Sequence, residues 1–97
     1  MKVEIIPEVG DIFEINLDKK YGFAFSNKGG GTGMSNWEYD NKYTHNVAKV
    51  KITKVWYDDE TGYRCWGEPV NAELKEYLNE VSSKQVVYVS QFDLKIA

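Results

Sequence analysis

The chain has 97 residues, a formal net charge of −3, 42% hydrophobic and 14% aromatic content, and a single cysteine. That length and composition suit one domain with one modest core and exclude wholesale disorder. The acidic balance disfavours nucleic acid as a partner, which needs a basic footprint to displace counterions from phosphate, and a lone Cys65 can form no internal disulfide, which suits a reducing, cytoplasmic setting.

The opening MKVEIIPEVGD carries no signal-peptide core, and no stretch approaches the ~20 apolar residues that span a bilayer. Lysine outnumbers arginine eleven to one, a bias expected of an AT-rich bacterial or bacteriophage genome. From Asp11 to Leu17, Phe13, Ile15 and Leu17 alternate with Ile12, Glu14 and Asn16, the pattern of a half-buried strand. After the polar turn Asp18-Lys19-Lys20, Tyr21, Phe23 and Phe25 alternate with Gly22, Ala24 and Ser26. The two runs are expected to pair as a hairpin.

Alternation stops at about residue 26 and resumes only after residue 46, although large aromatic rings persist between. A long loop inside a compact domain is usually functional, and its Trp and Tyr suit recognition. Ala48, Val50 and Ile52 then alternate with Lys49, Lys51 and Thr53, but Val55 and Tyr57 fall in the other phase. Such a slip predicts a bulge. Asp58-Asp59-Glu60-Thr61-Gly62 is a turn, with Gly where positive φ is wanted, and Tyr63 to Gly67 returns as the partner strand. Trp56 and Trp66 share one phase, Tyr57 and Cys65 the other; the pattern does not say which pair faces the core.

Asn71 is a good N-cap and Glu73 sits in the first turn, where the helix dipole favours an acid. Leu74, Tyr77, Leu78 and Val81 form one apolar stripe at helical spacing. Ser82, Ser83 and Lys84 end the helix, Val86 to Val89 read as a strand, and Phe92, Leu94 and Ile96 as a further short one. The sum is a mainly β, α+β chain of five to six antiparallel strands with one helix near 71–81. The expected architecture is a small, SH3-like, partly open barrel.

The segment Val9-Gly10-Asp11-Ile12-Phe13-Glu14-Ile15-Asn16-Leu17, followed by Lys20-Tyr21-Gly22-Phe23, resembles the opening of the Imm26-type immunity proteins of bacterial toxin systems. The resemblance covers about fifteen residues and implies a small cytosolic protein that neutralises a toxin by binding it. A similar opening occurs in toxin endoribonucleases with SH3-like barrels, but their Arg-rich active-site strands have no counterpart here.

Two candidate sites lie in the long loop. Trp37, Tyr39, Tyr43 and His45, with Trp56 beyond it, are candidate partner contacts, since rigid aromatics bury much area at low entropy cost; the alternative for Trp37 is a lid on the core. Lys28, Gly29, Gly30, Gly31, Thr32 and Gly33 could offer backbone N–H groups to an anion or simply be a flexible loop. The tract lacks the Gly-Lys-Ser/Thr ending and following helix of a P-loop. A Cys65–His45 nucleophile pair is disfavoured, because nothing near Cys65 would lower its pKa, and one His with one Cys makes no zinc cage. The acids Asp58, Asp59, Glu60, Glu68, Glu73, Glu76 and Glu80 could form a negative patch if hairpin tip and helix meet. The expectation is a non-enzymatic, cofactor-free protein that blocks a protein partner, such as a basic toxin or defence protein. The alternative is capture of an anionic, nucleotide-like molecule by the glycine tract, across an interface of a homo-oligomer.

Overall fold

The computed structural model describes residues 5–15, 23–34 and 48–96. Among these described residues seven strands, β1 (Ile12–Ile15), β2 (Ala24–Asn27), β3 (Thr32–Met34), β4 (Lys49–Asp58), β5 (Gly62–Pro69), β6 (Ser82–Ser90) and β7 (Leu94–Ile96), accompany one helix, α1 (Ala72–Val81), and a single 3-10 turn at Gln91–Asp93. The strands form one sheet in the order β3-β2-β6-β5-β4-β1-β7. Every pairing is antiparallel. The mainly β, one-helix expectation therefore holds, with seven strands in place of five to six. The sheet is not closed, because β3 and β7 are its two edges.

The expected pairing of the runs at 11–17 and 21–25 does not form. β1 lies between β4 and β7, while β2 lies between β3 and β6. Alternation fixes which side chains share a face, but not which strand is the neighbour. β2 is closed locally by a short glycine turn to β3, and its other edge takes Val87 and Tyr88 of β6.

The β4–β5 hairpin follows the sequence pattern closely. Its register shifts between Ile52 and Lys54, where the apolar phase slips. The bulge lets Val50 and Ile52 before it, and Val55 after it, lie against the same core. Gly62 closes the turn at φ 77°. Asp58 Oδ1 accepts from the Glu60 N–H at 2.9 Å and from the Thr61 N–H at 3.2 Å. Those two backbone donors hold the Asp58 carboxyl below the usual carboxylate range.

Asn71 stands at the helix start in extended conformation, but its side chain makes no capping hydrogen bond and fastens the helix to the sheet instead. Its Oδ1 accepts from the Lys49 N–H at 3.0 Å, beside a backbone bond from the Val70 N–H to the Lys49 carbonyl at 2.9 Å. At the other end Ser82 turns directly into β6. Its hydroxyl takes the Lys84 N–H at 3.1 Å, which diverts the chain from another helical turn. Leu74, Tyr77 and Leu78 are the buried face of α1. Tyr77 meets Phe23 and Phe25 edge-on, with ring centroids 6.0 Å away in both cases. Burial of each such side chain contributes about 1.5–3 kcal/mol.

The core of Ile15, Phe25, Val50, Ile52, Cys65, Leu74, Leu78, Val87 and Val89 occupies one side of the sheet. Gln91, only 4% exposed, ties the 3-10 turn into it. Its Oε1 accepts from the Tyr63 N–H, and its Nε2 donates to the Ile5 carbonyl, each at 2.8 Å.

Candidate functional site

Register decides what the opposite face of the sheet displays. Val87 pairs with Gly67 and Phe25 on the core side. The neighbouring row, Lys54–Trp66–Tyr88–Ala24, must therefore point away from the core. Beside it runs the row Trp56–Arg64–Ser90.

These rows make an aromatic cluster. The Trp56 and Trp66 rings meet edge-on at 6.2 Å, and Trp66 and Tyr88 are tilted at 5.7 Å. Lys54 Nζ stands 4.6 Å from the Trp66 ring centroid and 5.7 Å from that of Trp56. The Tyr88 hydroxyl is held by Ser26 Oγ at 2.5 Å. Between them opens a cavity of about 270 Å³, lined by Trp56, Arg64, Trp66, Tyr88, Ala24 and Thr32, with Cys65 and Val89 beneath. Among the described residues neither Lys54 nor Arg64 is in a salt bridge. Arg64 in the lining and Lys54 over the Trp66 ring thus bring two cations to an aromatic cleft on a chain whose net charge is −3.

A wider groove of about 420 Å³ runs between α1 and the sheet, lined by Glu68, Pro69, Lys75, Asn79 and Gln85. It offers no aromatic surface, and Gln85 and Asn79 hydrogen-bond to each other there. The aromatic cleft is the more specific site.

The sequence candidates are distributed as follows. Trp37, Tyr39, Tyr43 and His45 lie outside the described residues. Trp56 is in the cleft and 36% exposed. Lys28, Gly29, Gly30 and Gly31 form the turn between β2 and β3, so part of the tract assigned to a long loop is a hairpin. Two of its four backbone donors are spent, Lys28 N–H on the Val81 carbonyl at 3.2 Å and Gly30 N–H on that of Asn27 at 3.1 Å, and the Asn27 N–H closes the turn on the Gly31 carbonyl at 3.0 Å. Thr32 reaches the aromatic cleft, while Gly33 is buried against Phe25.

Cys65 is wholly buried on the core side, and desolvation pushes its thiol up to about 11. A protonated thiol in that setting is no nucleophile. No cluster of three metal-ligating side chains exists among the described residues. No helix there is long and apolar enough to cross a membrane. The acids do not merge into one patch. The full length of β5, roughly 25 Å of extended chain, separates Asp58, Asp59 and Glu60 at the hairpin tip from Glu73, Glu76 and Glu80 on α1.

Lys54, Arg64, Trp66 and Tyr88 were not singled out from sequence as site residues. Their signal was the shared phase of Trp56 and Trp66, which could not be assigned to a face without the partner strands. Comparison of the chain with protein families, curated proteins and solved structures finds no match.

Proposed function

We propose that this chain is a small non-enzymatic protein that neutralises a protein partner by stoichiometric docking, in the manner of an immunity protein or a phage-encoded inhibitor. The observation that carries this reading is the distal half of the β4–β5 hairpin, which bears large aromatics on both faces. Trp56 and Trp66 lie on one side; Tyr57 and Tyr63 meet edge-on on the other with centroids 5.1 Å apart, and Tyr57 is 61% exposed. Clustered aromatics of this kind are the residues that anchor interfaces. The adjoining tip presents Asp58, Asp59 and Glu60, charges that would steer a basic partner such as a toxin or a defence nuclease. On this reading the protein acts in the cytoplasm, and its open antiparallel sheet is a variant of the SH3-like barrel.

The test compares untagged wild-type protein with Trp56→Ala and Tyr57→Ala, each purified from its own host and weighed by native mass spectrometry. A protein that co-purifies at fixed stoichiometry with the wild type should be lost from both variants, with melting temperatures within a few degrees. Removal of an interface anchor costs about 2 kcal/mol or more, roughly thirtyfold in affinity. Retention of the same partner by both variants would remove the hairpin from the interface. A second reading keeps the capture of a nucleotide-like anion but moves it from the glycine tract to the aromatic cleft, and the support for it is Arg64 and Lys54 beside the rings.

A further inference from the structure

We propose that the cleft between Trp56, Trp66 and Tyr88 is a binding site for a single nucleotide-like molecule, its base against the indole rings and its phosphate between Lys54 and Arg64. This goes beyond the docking of a protein and does not depend on it. Trp56 is common to the two, whereas Tyr57, on the other face of the hairpin from the cleft, serves the docking alone.

Three features of the cleft select that ligand. Its walls are flat aromatic surfaces, and an aromatic base stacks on indole without regard to sequence. Arg64 lines the cleft and Lys54 stands over the Trp66 ring; Arg64 feels the Asp58 carboxylate at the hairpin tip, but neither cation is in a salt bridge among the described residues, so an anion would pair with both without first breaking one. The Thr32 residue on the opposite wall supplies a hydroxyl for a base edge or a sugar. Both halves of the recognition, stacking and phosphate charge, are therefore within one concavity.

Size and charge then limit the ligand to one unit. About 270 Å³ is at the small end of ligand sites and has no room for a run of bases. The chain's net charge of −3 opposes the close approach of a polyanion, whose binding is driven by many phosphate contacts. A single phosphate needs only the local pair of cations. Trp66, held by Tyr88 on one side and Trp56 on the other, is already in place, so little side-chain entropy is lost when a base arrives.

The test is a titration of the full chain with AMP, GMP, CMP and UMP, followed by NMR of the indole N–H signals and by calorimetry. At least one of them should saturate at millimolar concentration or below and shift the Trp56 and Trp66 signals. Its nucleoside should bind at least tenfold more weakly, and Arg64→Gln should weaken the nucleotide about tenfold. Lys54→Gln, at an exposed position, repeats that test should Arg64→Gln fail to fold. Tyr57→Ala should bind the nucleotide as the wild type does, which separates this site from the protein-docking surface. The proposal is overturned if none of the four saturates, if shifts fall away from the cleft, or if both cation variants bind unchanged. Tighter binding of a ten-residue single-stranded DNA than of any mononucleotide would also overturn it, in favour of a nucleic-acid surface.

Discussion

Lys54 Nζ sits 4.6 Å from the centre of the Trp66 ring, across the hairpin from it in register. The bulge at Thr53 makes this pair. Were Thr53 paired in a regular ladder instead, position 54 would turn to the core side and Val55 to solvent. A cation over an indole at an exposed site is worth about 0.5–1 kcal/mol. Lys54→Ala should lower stability by that amount in urea denaturation, and the same change in a Trp66→Leu background should cost nothing further. A double-mutant cycle of zero coupling would show the contact to be incidental.

Gly67 is a packing requirement of the core. A β-carbon there would stand 2.6 Å from Val50 Cβ, closer than the two strands permit. Gly67→Ala should destabilise the fold by about 1–3 kcal/mol, the usual cost of overpacking. Val50→Ala should return part of that loss in the double variant, as measured by urea midpoints.

Gln91 joins three segments distant in sequence. Replacement by Leu keeps the volume but leaves the Tyr63 N–H and the Ile5 carbonyl without their present partner. An unsatisfied buried group costs about 1–3 kcal/mol, and Gln91→Leu should lose at least that much. The Tyr63 amide should also exchange faster than its neighbours on β5. Unchanged exchange at Tyr63 would mean that water replaces the side chain.

Cys65 makes a prediction about alkaline pH. Burial raises its pKa from 9.0 to about 11, so the folded state keeps a proton that the unfolded chain gives up. The stabilisation is complete below pH 9.0 and is lost as pH rises through about 11. The wild type should therefore lose stability more steeply than Cys65→Ala between those values. At pH 8 the native thiol should resist a disulfide reagent and react only in denaturant; rapid modification of the folded protein would contradict its burial.

Several elements were legible because their cause is local. The apolar stripe of Leu74, Tyr77 and Leu78 demands a helix wherever it lies, and Asp58 to Gly62 carry a turn in their own side chains and glycine. The slip at Thr53 announces a bulge, since side-chain direction alternates along a strand. Those features were set by residues a few positions apart. The choice of neighbours was not: β1 alternates as well as β2 does, yet it pairs with β4 and β7 because its Phe13 and Ile15 complete that end of the core. The cleft shows the same division. The shared phase of Trp56 and Trp66 is written in the chain, but their exposure follows from Cys65 and Gly67 facing Val50, Ile52 and Val89 across β4 and β6. Sequence alone set the two faces of each strand; tertiary pairing decided which face met the core and brought Tyr88, Arg64 and Lys54 to the two tryptophans.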